Sequence, residues 1–171
     1  LNGVASGFIT IASFALTISL IILQNYEIAI ATLCLAFASL AFYKYHKLPS
    51  RIFPGDSGAL TFGATYGVIA IVGHVEVIAA IAILPAIINS FLFLSSVKKI
   101  TEHREIKNPV SHTDDFKLKT GDYKNAPITL VRLIIAKRPL SEKQIVTEIF
   151  RLGIFSGILA IITAFMMGVK V

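Results

Sequence analysis

The sequence predicts an all-α membrane protein of five transmembrane helices, with a cytoplasmic loop that holds a short β-hairpin and an amphipathic helix. Three observations carry that fold class. Of the 171 residues, 55% are apolar and only 15% are charged, whereas a soluble domain has about 45–50% and 25%. The mean hydropathy is +0.76. The apolar residues gather into five runs, residues 4–23, 28–43, 60–72, 77–94 and 152–169, each near the roughly 20 residues that cross a bilayer, the third being short. Disordered, collagen-like and disulfide-stapled chains are excluded by the same composition. The one cysteine, Cys34, cannot form an internal disulfide, and no Cys/His spacing reads as a zinc site.

Taken in order, the first and second runs are separated only by residues 24–27, so they form a tight helical hairpin. Cys34 is expected to be buried in the second span. The break at residues 73–76 separates the third and fourth runs in the same way. Within the third, Gly63 and Gly67 have the spacing of small residues that pack helices together. No basic segment or small-residue cleavage site flanks the first run, so it reads as a span rather than a signal peptide. Trp is absent, which leaves Tyr26, Tyr43, Tyr45 and Phe53 as interfacial aromatics.

Charge sets the orientation. Of the 16 Lys and Arg residues, 15 lie in the connections between the second and third runs and between the fourth and fifth. The opposite connections carry Glu27 and Glu76 and no cation, and Lys170 alone falls on that side. The chain therefore begins on the cytoplasmic side and ends outside. It opens at Leu1 rather than Met, directly on a span, as the second part of a longer protein would.

The loop 98–148 is too charged to cross the membrane. Lys98, Lys99, His103, Arg104 and Lys107 form a cationic cluster, suited either to anionic headgroups or to clamping a diphosphate. Residues 116–123 alternate around a Thr-Gly-Asp turn, the pattern of a β-hairpin. Asp114 and Asp115, near His112, read as a solvated turn before it. Residues 127–136 are amphipathic and end at Lys137-Arg138-Pro139, which predicts an interfacial helix rather than a sixth span. Ser141-Glu-Lys-Gln marks the start of the helix that enters the last span.

The connection 43–57 carries a single acidic residue, Asp56, among three cations. Pro54 and Gly55 turn the chain, which puts Asp56 and Ser57 at the N-terminus of the third helix. A carboxylate there has two roles open to it. It can cap the helix, or it can hold magnesium on a phosphate substrate, since that ion takes one or two carboxylates and fills its shell with water and phosphate oxygens.

The segment Phe53-Pro-Gly-Asp56-Ser-Gly-Ala-Leu-Thr-Phe-Gly resembles the F-x-G-D-[ST]-G-[AS]-x-x-x-G motif of the polyprenyl-phosphate N-acetylhexosamine-1-phosphate transferases. The opening residues 1–7 resemble that family's Asn-Gly segment at the start of a span. Residues 61–74 and the loop are most similar to its dolichyl-phosphate GlcNAc-1-phosphate branch. The likeness covers the whole chain but only the C-terminal half of a ten-helix architecture.

That resemblance implies roles. Asp56 would be a catalytic residue and a Mg2+ ligand, Phe53 would stack on the uracil of a UDP-N-acetylhexosamine, and Asn2 would lie beside the base. His103 and Arg104 look like part of a segment that contacts the sugar-nucleotide phosphates, with Glu102 standing where the family has Arg. The bacterial family's triple-histidine motif is absent, which argues against a MurNAc-pentapeptide substrate. The implied reaction moves GlcNAc 1-phosphate or a close analogue from the UDP-sugar to a polyprenyl or dolichyl phosphate and releases UMP. The implied partners are both substrates, the lipid bilayer and the missing N-terminal half. The alternative is a transporter or scaffold fragment without chemistry, in which Asp56 is only a cap.

The charge pattern makes a topological prediction. With Cys34 replaced, single cysteines at positions 56 and 120 should both react with a membrane-impermeant maleimide from the cytoplasmic side. Labelling of the two from opposite sides would refute it.

Overall fold

A computed structural model of the chain describes residues 1–97, 110–112, 117–120 and 127–168. These fall into two compact units, Leu1–Leu84 with Ile149–Val171, and Pro85–Glu148.

The first unit opens with α1 (Val4–Ile22) and α2 (Tyr26–His46). The turn between them is a Schellman-type close, with Gln24 at φ 59 and the Asn25 amide donating to Leu20 O at 2.9 Å. Next come α3 (Gly55–Val72) and α4 (Glu76–Ala82). The turn joining them repeats the device: His74 has φ 52 and the Val75 amide donates to Ala70 O at 3.0 Å. Asn25 Nδ2 reaches Gly73 O at 3.4 Å, which puts the two turns at the same end of the unit. Tyr66 donates its hydroxyl to Ala79 O at 3.1 Å and joins α3 to α4.

The apolar core is built from Leu16, Leu20, Ile78, Ala79 and Ala82, with Ala160 and Ala164 from the last helix, α7 (Glu142–Gly168). Residues of α7 lie along α1: a Cβ at Gly153 would stand 3.1 Å from Phe8, and one at Gly157 would stand 3.0 Å from Ala15.

A polar seam runs through this core. Ser6, Thr10, Ser13 and Thr17 recur at helical spacing on α1 and are all buried. Thr10 Oγ1 donates to Ser6 O at 2.7 Å and lies 2.9 Å from the Ser39 hydroxyl of α2. Ser6 Oγ lies 2.8 Å from His46 Nδ1. A helix that faced lipid all round would have no use for such a stripe; here it is the face that meets α2.

Among the described residues three helices, α1, α2 and α7, are long and apolar enough to cross a membrane, and a fourth span is reached if α4 and the helix after it are one broken span. The sequence reading expects five. The third run is α3, whose first turn, Gly55-Asp56-Ser57-Gly58, is polar and dilutes its apolarity. The fourth run is interrupted at Ile83, where the chain restarts as α5 (Leu84–Val97). Pro85 explains the interruption: it lacks an N–H and its ring clashes with the carbonyl four residues back, so it belongs in a first turn. Two further expectations are corrected. Cys34 is exposed on α2 rather than buried, and Gly63 and Gly67 face open space, with nothing among the described residues within 4 Å of an added Cβ.

In the second unit, β1 (Val110–His112) pairs antiparallel with β2 (Leu118–Thr120), with Ser111 opposite Lys119. The expected strand at 118–120 is present, but its partner precedes it. The residues after Thr120 that were to form the other arm, 121–126, lie outside the described set. Leu118 also exchanges backbone bonds with Leu140 at 2.9 and 3.1 Å. The amphipathic segment forms only one short helix, α6 (Leu130–Ile134), capped by Thr129 Oγ1 accepting from the Arg132 amide at 3.2 Å. Asn89 Oδ1 and Ser96 Oγ of α5 accept from the amides of Leu130 and Ile128 at 2.8 and 2.9 Å, which ties that segment down. The start of α7 is where the sequence places it: the Ser141 amide donates to Gln144 Oε1 at 2.9 Å, one arm of a capping box.

The close approach of α1 to α2 at Gly3 can be tested. Gly3 has φ +81, and a Cβ there would lie 3.0 Å from Tyr43 and 3.2 Å from Lys47 Cα. Gly3→Ala should destabilise by about 1–2 kcal/mol, the left-handed penalty for an L residue. Gly63→Ala should leave thermal unfolding in detergent unchanged or raise its midpoint. Equal midpoints for wild type and Gly3→Ala would remove the constraint.

Candidate functional site

One end of the first unit collects most of the residues that the sequence singled out. Because α1 and α3 run opposite to α2, the start of α1, the end of α2 and the start of α3 share that end. The Schellman turns and the carboxylates Glu27 and Glu76 occupy the other, at the first turns of α2 and α4.

Asn2 precedes Gly3, the left-handed residue that starts α1 against Tyr43 and Lys47. The Tyr43 ring meets Phe150 of α7 edge-on, with centroids 5.9 Å apart. A Cβ at Gly7 would run into the Phe150 ring. Glycine at position 7 is thus what lets α7 enter here, and Lys44, Lys47, Arg51 and Arg151 are brought to this same end.

The chain leaves α2 at His46 and reaches α3 through residues 47–54. Phe53 is 68% exposed. Its one recorded ring contact among the described residues is with His46, edge-on at 5.9 Å and 72°. His46 is only 3% exposed. It is held by Ser6 on one side and by the Phe42 ring, 5.7 Å away, on another. Phe42 in turn meets Phe62 of α3 at 5.9 Å. Phe53 is therefore an exposed ring in T-shaped contact with a buried histidine.

Asp56 is exposed in the first turn of α3. Of its two open roles, the capping one finds no support: the N-cap is Pro54, and no side-chain bond closes that terminus. The carboxylate sits in the favourable field of the helix N-terminus and faces outward. Among the described residues no group of three or more His, Cys, Asp or Glu side chains converges. Asp56 thus offers one exposed carboxylate, a donor type that suits a hard cation.

His103 and Arg104 lie outside the described residues, as do Asp114 and Asp115. The sequence reading missed His46 and Ser6. The spacing 6, 10, 13, 17 of hydroxyl residues in an otherwise apolar helix was the available signal, since it marks the face of α1 that must find polar partners inside protein.

Comparison with known proteins bears on this geometry. The family model described as glycosyl transferase family 4 matches residues 1–74, which contain Asn2, Phe53 and Asp56. A protein of Methanocaldococcus jannaschii named as a glycosyltransferase is 33% identical over 164 residues, 94% of this chain and 52% of the relative. A phospho-N-acetylmuramoyl-pentapeptide-transferase of Prochlorococcus marinus subsp. pastoris is 28% identical over 171 residues, 95% of this chain and 43% of the relative. That of Clostridium beijerinckii is 42% identical over 53 residues, 31% of this chain and 16% of the relative. The chain spans about half the length, or less, of the curated relatives it matches.

Exposure of Asp56 without a capping bond predicts that folding is indifferent to its charge. Asp56→Asn should shift the thermal midpoint in detergent by no more than a cap-neutral exchange does, within about 0.5 kcal/mol. A larger loss would show that the carboxylate is structural.

Proposed function

The chain belongs to glycosyl transferase family 4, and from that premise we propose that it forms part of a multi-pass membrane transferase that moves N-acetylhexosamine 1-phosphate from a UDP-sugar to a polyprenyl phosphate. The observation that carries this reading is the gathering of Asn2, Phe53 and Asp56 at one end of a membrane-spanning unit. A transporter or scaffold has no need of an exposed aromatic and an uncapped carboxylate side by side in the chain at a helix entry.

In this reading an oxygen of the lipid phosphate attacks the β-phosphorus of the UDP-sugar. The bond from that phosphorus to the oxygen bridging to the α-phosphorus breaks, and UMP leaves with the electron pair. The product is a lipid-linked sugar diphosphate. GlcNAc 1-phosphate is the group carried, and the acceptor is of the dolichyl type. The face that holds Asp56 is cytoplasmic, because the cations of the connections cluster there.

This chain's residues bind and orient. Phe53 offers its exposed face to the base, where stacking tolerates the loss of water on both surfaces. Asn2 offers an amide that can both donate and accept at the base edge. Asp56 would hold Mg2+, which when bound supplies positive charge to offset that on the diphosphate. Arg104, with its fork of donors, and His103 would contact the phosphates from the loop. Most of the rate advantage comes from holding both substrates in one geometry. Because this chain spans about half of its relative, that geometry is completed by residues it does not contain.

Two outcomes test the proposal. In the full-length enzyme, Asp56→Asn should lower UMP release by at least about a hundredfold, as loss of a group that answers developing charge does. Near-normal turnover would remove the metal role. Reconstituted by itself with polyprenyl phosphate, UDP-N-acetylglucosamine and Mg2+, the 171-residue chain should release no UMP. Turnover that Asp56→Ala abolishes would show that the catalytic machinery is smaller than proposed.

A further inference from the structure

We propose that His46 is a positioning residue for nucleotide recognition: held in place by Ser6, it fixes the plane of the Phe53 ring that meets the base. The inference rests on the reading of Phe53 as the base-facing ring. It adds a residue to which neither the sequence motif nor the comparisons assign a role.

Phe53 stands in an eight-residue connection between His46 and Gly55 and is largely exposed. An exposed phenyl ring on such a connection samples several rotamers and presents its face to a ligand only part of the time. Ordering it on binding draws on the binding energy. In this structure the Phe53 ring meets the His46 imidazole at 5.9 Å and 72°, the T-shaped geometry in which the positive edge of one ring meets the negative face of the other. A platform can only fix a ring if it is itself fixed. His46 is 3% exposed and has two restraints from different directions: Ser6 Oγ, 2.8 Å from Nδ1, and the Phe42 ring at 5.7 Å.

The choice of histidine follows from these demands. The side chain must offer an aromatic ring to Phe53 and a polar atom to Ser6 at once, and it must do so at the end of a membrane-spanning helix, where an unpaired hydroxyl is costly. Phenylalanine meets only the first demand and asparagine only the second. Ser6 lies on the first turns of α1, one helical turn from Asn2. The Ser6–His46 bond therefore links the element that carries Asn2 to the one that supports Phe53, so both would approach a base in a fixed relation.

The test measures steady-state constants for the full-length enzyme in membranes with His46→Ala, Ser6→Ala, Phe53→Leu and the pairwise doubles. His46→Ala should raise KM for the UDP-sugar about fivefold to tenfold, the size of an aromatic edge contact, and leave kcat within about twofold. KM for the polyprenyl phosphate should not move. Ser6→Ala should do the same to a smaller extent, and adding His46→Ala to Phe53→Leu should add nothing further. His46→Asn, which keeps the partner of Ser6 but not the ring, should fold like wild type and still show the raised KM. A rise in KM with Phe53→Leu but none with either His46 variant overturns this inference and leaves the base-stacking reading intact. Additivity between His46→Ala and Phe53→Leu, or an equal loss for both substrates, shows that His46 is packing alone. No rise with Phe53→Leu overturns the reading of Phe53 and this inference with it.

Discussion

A hydroxyl or an imidazole inside a membrane-spanning bundle must find its partner within the protein, because lipid offers none. The contact between α1 and α2 is organised by that requirement. Ser6 meets His46 at 2.8 Å and Thr10 lies 2.9 Å from Ser39, so these two pairs fix one register between the helices, while Thr17 bonds back to Ser13 O within α1 and the Ser13 hydroxyl has no partner among the described residues. Sliding either helix by a turn would strand these groups at about 1–3 kcal/mol each. Glycine makes the register sterically possible: at Gly3 and Gly7 a side chain would run into Tyr43, Lys47 or Phe150. The rest of the first unit inherits this register, including where Phe53 emerges and which way α3 starts.

The two ends of the unit are built for different purposes. At one end, repeated Schellman turns with left-handed Gln24 and His74 reverse the chain in the fewest residues, and Asn25 joins them through Gly73. This end is compact and carries carboxylates. At the other end the connection from α2 to α3 is longer, and it carries cations, an exposed aromatic and the uncapped Asp56. The proposed reaction, in which a nucleotide sugar meets a lipid phosphate, asks for one such end, open to water and bordered by apolar helices, and one closed end that holds the helices in register.

Much of this was legible in the sequence, and the misses have physical causes. Run lengths located α1 and α2, and the Ser141–Gln144 spacing located the start of α7, because caps and apolar stretches are local signals. Asp56 was placed at a helix N-terminus by Pro54 and Gly55, and the family motif singled out Phe53 and Asn2. Pro85 lies within the fourth run, and a mean over an apolar run hides a single helix breaker. The pairing of β2 with β1 was not legible because strand pairing is decided at a distance, and the arm expected after the Thr-Gly-Asp turn lies outside the described residues. The hydroxyl spacing on α1 marked a face in need of polar partners, but not that His46, 40 positions from Ser6, is one of them.

In the proposed function a nucleotide base is received at the end of the bundle where Phe53 emerges. Photo-crosslinking decides this in membranes carrying the full-length enzyme, with a UDP-sugar bearing a photoreactive uracil. Label is expected on the peptide that contains Phe53, competed away by unmodified UDP-N-acetylglucosamine. Competable label at the opposite end, on peptides containing Asn25 or His74, would refute it.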